Sequence, residues 1–90
     1  MALELNYNGQ ANCYLKAVPT TITEYFIDDV KYFNTYIIYT IYNYKGGEII
    51  MRDGFEIDFN PNLSIFTQIY NRLKEIYPLA LDSDIDFQYF

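Results

Sequence analysis

The chain has no histidine, no tryptophan and one cysteine, Cys13. Without histidine no Ser/His/Asp or Cys/His relay can form. A single thiol allows no internal disulfide, which points to a reducing compartment. Cations are scarce: Lys16, Lys31, Lys45, Arg52, Arg72 and Lys74 face twelve carboxylates, for a net charge of −6. Only Arg72 and Lys74 lie close together in sequence. Phosphate contacts supply most nucleic-acid affinity and need a basic stripe, so no direct nucleic-acid binding is expected. No run approaches the ~18–20 apolar residues of a membrane span. The start, Met-Ala-Leu-Glu-Leu, lacks the charged and apolar regions of a secretory signal. A soluble protein made in the cytoplasm, with no membrane partner, is the expectation.

What is abundant is the aromatic ring. Eleven Tyr and seven Phe stand in ninety residues. A chain this short forms one domain and buries only roughly 60–65% of the surface its unfolded form exposes. Large rings give a small core much apolar area per residue. Tyrosine also tolerates an interface, because its hydroxyl stays wet or finds a partner.

Residues 2–7 alternate, with Leu3, Leu5 and Tyr7 between Glu4 and Asn6, which predicts a half-buried strand. Asn8-Gly9 is a tight-turn signal. A second strand is expected over 12–18, or onward to 26, because 20–26 is rich in β-branched and aromatic residues. Pro19 marks an edge, bulge or bend there. Asp28-Asp29 is the next turn by its Asx chemistry.

Residues 32–44 are almost all strong strand formers. One face carries Phe33, Thr35, Ile37, Tyr39 and Ile41; the other carries Tyr36, Ile38, Thr40, Tyr42 and Tyr44. Neither is polar, so the strand is covered on both sides or by a partner on one. Lys45-Gly46-Gly47-Glu48 reads as a hairpin turn, and 48–59 returns antiparallel. Asp53-Gly54 is expected to interrupt it as a bulge or second turn.

From there the period changes to 3.6. Phe66, Ile69, Tyr70, Leu73, Ile76 and Tyr77 recur at three- and four-residue steps, with Leu63 one turn earlier. This predicts a helix over 61–77, with Asn60 as N-cap, Pro61 at the first position and Pro78 as the stop. The tail, 79–90, alternates Asp82, Asp84 and Asp86 with Ile85, Phe87 and Tyr89, as a last edge strand or a docking arm. The expected fold is α+β: one domain over 1–90, an antiparallel meander of about four strands with one amphipathic helix on one face.

No constellation for catalysis, metal or cofactor emerges. A lone Cys13 on a strand is most often a small buried hydrophobe. Asp82-Ser-Asp-Ile-Asp resembles the start of a calcium loop, but the sixth position is Phe87 where such a loop needs glycine. Glu56 and Asp58 share a strand face about 7 Å apart. Their alternation with Phe55, Ile57 and Phe59 points them to water, where no carboxylate acquires the shifted pKa of an acid–base pair. Asp28 and Asp29 likewise read as turn residues. Gly46-Gly47 lacks the spacing of a phosphate loop. The tyrosine stripe has two readings, plain core or interface, since tyrosine is enriched at interface centres. The candidate interface residues are Tyr36, Ile38, Tyr42, Tyr44, Ile85, Phe87 and Tyr89.

Three stretches resemble small tailed-bacteriophage proteins encoded among the virion structural genes. Residues 1–9 match their strand-and-turn start. Residues 11–17, Ala-Asn-Cys-Tyr-Leu-Lys-Ala, resemble their second strand. Residues 59–63 through Phe66, Tyr70, Leu73 and Lys74 are similar to their terminal helix. The chain departs from the pattern between Thr20 and Arg52, where it is more aromatic, and in the acidic tail. The resemblance implies a minor virion component near the tail or baseplate that binds other virion proteins or itself, without catalytic residues. Two alternatives remain open: a small acidic phage-encoded inhibitor of a host defence or host enzyme, and a capsid decoration protein.

Overall fold

The computed structural model describes residues 1–44 and 47–83. Five antiparallel strands, β1 (Ala2–Tyr7), β2 (Gln10–Ile27), β3 (Val30–Asn43), β4 (Glu48–Phe59) and β5 (Leu81–Ser83), form one sheet in the order β4-β3-β2-β1-β5. One helix, α1 (Ile65–Ile76), crosses one face. The architecture is the expected α+β meander with one strand more than the sequence suggested. The start of the tail supplies that strand: Leu81, Asp82 and Ser83 pair with Glu4, Leu3 and Ala2. Lys74 Nζ reaches Asp82 at 2.7 Å and ties the new edge to the helix.

Both tight turns fall where they were read. Asn8 and Gly9 have φ of 50° and 78°, and Asp28 and Asp29 have 50° and 64°. Positive φ at both central residues suits the right-handed twist of the flanking strands. Asn12, at φ 59°, sits where the β1–β2 register shifts between Leu5 and Tyr7. Of the Lys45–Glu48 turn, Lys45 and Gly46 lie outside the described residues.

The longer reading of the second strand holds, because β2 runs through Pro19. The register with β3 shifts there, between Pro19 and Thr21, so Pro19 marks a bulge. Thr20 turns its hydroxyl back and donates to the Tyr36 carbonyl at 2.9 Å. That bond braces the bulge against β3. The third strand starts two residues earlier than expected and ends at Asn43, which leaves Tyr44 in the turn.

Asp53-Gly54 is neither bulge nor turn. The β3–β4 register runs unbroken from Phe33↔Phe59 to Ile41↔Met51, and shifts only between Ile41 and Tyr42. Gly54 serves a different purpose. A Cβ there would lie 2.5 Å from the Tyr36 Oη, so the ring of Tyr36 lies across the glycine.

The helix begins four residues later than expected. Ser64, not Asn60, is the N-cap, and its Oγ accepts the Thr67 N–H at 3.4 Å. Asn60 closes an Asx turn instead, accepting the Asn62 N–H at 2.9 Å. Gln68 clamps the turn to the helix: its Oε1 accepts the Asn60 N–H at 2.8 Å and its Nε2 donates to the Asn60 carbonyl at 2.9 Å. With the first turn gone from the helix, Leu63 is 62% exposed and outside the core. Phe66 and Ile76 are also exposed, while Ile65 packs against the core. Tyr77 caps the C-terminus, its N–H reaching the Leu73 carbonyl at 2.8 Å.

The core lies between α1 and one sheet face. Leu3, Leu15, Ile37, Ile41, Ile69 and Leu73 are fully buried there, with Cys13 among them. Each large side chain so buried stabilises the fold by about 1.5–3 kcal/mol relative to exposure. Tyr70 is the polar exception. Its hydroxyl accepts the Ala17 N–H at 2.9 Å and donates to the Met1 carbonyl at 2.9 Å. Burial pushes its pKa up, partly offset by the bond from Ala17.

Candidate interaction surfaces

The sheet face opposite the helix carries the tyrosines. The β2–β3 and β3–β4 registers place Tyr14 opposite Tyr42, Val18 opposite Ile38, and Tyr36 between Thr21 and Glu56. The face splits into three parts with different properties.

At one end Tyr42 is only 8% exposed, because it packs on Ala2 with Tyr14 beside it. Tyr14 meets Tyr44 edge-on at 5.1 Å. Tyr42 was read as an interface residue; it is a buried residue of a small second core. Tyr44 remains exposed beyond it. In the middle, Ile38 is half-buried and Tyr36 is exposed over Gly54. Arg52 donates to the Thr40 hydroxyl at 3.2 Å across the same face. Ile85, Phe87 and Tyr89 lie outside the described residues.

The third part was not singled out from the sequence. β1 pairs with β2 no further than Leu3↔Leu15, and Tyr70 meets the backbone at Ala17. β4 pairs with β3 no further than Phe33↔Phe59. β2 and β3 continue past both limits as a two-stranded arm that ends at Asp28 and Asp29. The arm gives the molecule its extent of 49 × 23 × 21 Å.

Both of its faces expose apolar side chains. Ile22 and Phe26, on the helix-side face, are 63% and 64% exposed. Ile27, Val30 and Tyr32, on the other face, are also exposed. Tyr25 stacks on Tyr32 at 5.5 Å and donates to Asp58 at 2.9 Å, where Asn34 donates as well at 3.1 Å. That bond to Asp58 is the first cause of the raised Tyr25 pKa. Lys31 bridges to Glu24 at 3.6 Å and lies 5.9 Å from the Phe26 ring. The arm's signal was present in the sequence as a mismatch of lengths. A strand of eighteen residues lies beside one of six, so among the described residues much of it has no neighbour on that side.

The surface offers little for chemistry. Among the described residues no group of three or more His, Cys, Asp or Glu could hold a metal ion. No helix among them is long and apolar enough to cross a membrane. A cleft of about 390 Å³ opens between β1 and the end of α1, lined by Leu5, Ile76, Tyr77 and Leu81, with Glu4 as its only carboxylate. Asp58 and Asp82 sit near opposite edges of the sheet, so the described carboxylates do not gather on one surface. Cys13 is fully buried with its Sγ 3.4 Å from the Gln10 carbonyl.

Fold and surface together define a small α+β domain with a projecting apolar hairpin. The chain matches no protein-family model, no curated protein and no solved structure.

Proposed function

We propose that this protein acts by protein–protein assembly, as a minor structural component of a tailed-phage particle in the tail or baseplate region. The observation that carries the assembly reading is the hairpin arm with Ile22, Phe26, Ile27 and Val30 exposed on its two faces. Large apolar side chains exposed beside an edge that would otherwise template aggregation mark a surface that is covered when the protein works. The phage setting rests on the resemblance of the first two strands and the helix to small virion proteins.

Mass spectrometry of purified particles, with copy number, tests the setting. Capture with tagged wild-type chain and with an Ile22→Lys/Phe26→Lys variant tests the surface. Virion proteins held by the first and lost by the second are expected. Absence from particles, together with stoichiometric capture of one host enzyme, would replace this reading with the inhibitor.

A further inference from the structure

We propose that the covering partner of the arm is a second copy of this chain, joined through residues 20–27 of β2 to make one continuous sheet across a twofold axis. This rests on the assembly reading above and names its partner.

The first support is the edge itself. Ile27 and Val30 flank a two-residue turn. Residues in that position exchange both ladder bonds, so their backbone groups point inward, and alternate residues point out. The N–H and C=O groups of Ile22, Glu24 and Phe26 therefore face away from β3, and no strand among the described residues lies beside them. Edges are commonly blunted by proline, lysine or a bulge. Pro19 and its bulge precede this stretch; within it the one charge is Glu24, already bridged to Lys31 at 3.6 Å.

The second support is self-complementarity. Antiparallel pairing centred on Thr23 sets Ile22 against Glu24 of the second copy and Glu24 against its Ile22, each pair exchanging two bonds. Thr23 meets Thr23, a favourable cross-strand pair. A register two residues further on would set Glu24 against Glu24, a destabilising one. The Thr23-centred register also draws the acidic tip, Asp28 and Asp29, towards Lys16 of the second copy.

The third support is exposed apolar surface beside the edge. Ile22 and Phe26, both in the paired segment, are 63% and 64% exposed. Edge pairing sets their flanks against the second copy, a contact at the small, concentration-dependent end of protein interfaces.

The test is sedimentation equilibrium of the full chain with wild-type and variant edges. A concentration-dependent dimer is expected. Ile22→Pro removes one outward donor and keeps the ladder to β3, and it weakens the dimer about tenfold or more. Thr23→Cys reports the register, because a non-hydrogen-bonded antiparallel pair has Cα atoms about 4.5 Å apart, within disulfide reach. Oxidation links Thr23→Cys chains into dimers and leaves Thr21→Cys chains largely unlinked. A chain ending at Ser83 dimerises as the full chain does. A monomer at all concentrations, equal linking at both positions, or loss of the dimer with residues 84–90 overturns the proposal. A monomer that still captures virion proteins through the arm refutes self-pairing alone and leaves the assembly reading intact.

Discussion

The hydroxyl of Tyr70 accepts the backbone N–H of Ala17 at 2.9 Å, just past the last described rung of the β1–β2 ladder. A side chain from the helix thus marks where β2 passes beyond its last neighbour among the described residues. Tyr70→Phe keeps the ring and leaves a buried N–H without its partner, which costs about 1–3 kcal/mol. The thermal midpoint should fall by roughly 4–8 °C per kcal/mol in a domain of this size. Amide exchange at Ala17 should quicken more than at Leu15.

Gly54 is required by Tyr36. In Gly54→Ala the new Cβ would stand 2.5 Å from the Tyr36 hydroxyl and 2.7 Å from the Ile37 carbonyl. The ring can swing aside; the backbone carbonyl cannot. We expect a loss of about 1–3 kcal/mol in urea unfolding, as for other overpacked sites. Adding Tyr36→Ala should recover only part of it, and a double-mutant cycle reads the coupled share.

The Asp28-Asp29 turn holds two non-glycine residues at positive φ, where a Cβ is unfavourable. Asn-Gly is the preferred pair for such a turn. The double substitution Asp28→Asn/Asp29→Gly should raise stability by about 0.5–1 kcal/mol, seen as a higher urea midpoint with an unchanged slope.

Alkaline pH should destabilise the protein through buried Tyr70 and half-buried Tyr77. Tyr70 is raised above the ordinary value of 10.0 by burial. Tyr77 is raised further, by burial first and then by a hydrogen bond with Tyr39. A pKa raised in the folded state gives stability that is complete below the unfolded value and is lost as pH climbs above it. Circular dichroism and tyrosinate absorbance should therefore change together above about pH 10. Tyr77→Phe should shift that transition upward.

Most of the sheet was legible because its signals are local. The period of two in Leu3, Leu5 and Tyr7, the two faces of β3, and the turns at Asn8-Gly9 and Asp28-Asp29 all depend on near neighbours in sequence. The helix start was misread because Asn60-Pro61 is a sound local cap. What decided against it was the pair of bonds from Gln68 to the Asn60 backbone, which hold that segment as a turn. Tyr42 is buried against Ala2, forty residues away, and no periodicity reports such a contact. The arm escaped notice for a related reason: exposure there follows from where β1 and β4 stop, and strand propensity is the same with or without a neighbour.

The strand order also bears on how the chain reaches this structure. β1 to β4 are joined as successive neighbours, so three of the four strand pairings can zip from adjacent turns. Closing a short loop is cheap and fast, while the β1–β5 pairing of Leu3 with Asp82 must wait for a long one. The face formed by Leu3, Leu15 and Ile41 can therefore form before Ile69, Tyr70 and Leu73 arrive to cover it. In synthesis from the N-terminus, that interval is when the nascent sheet is most open to a chaperone.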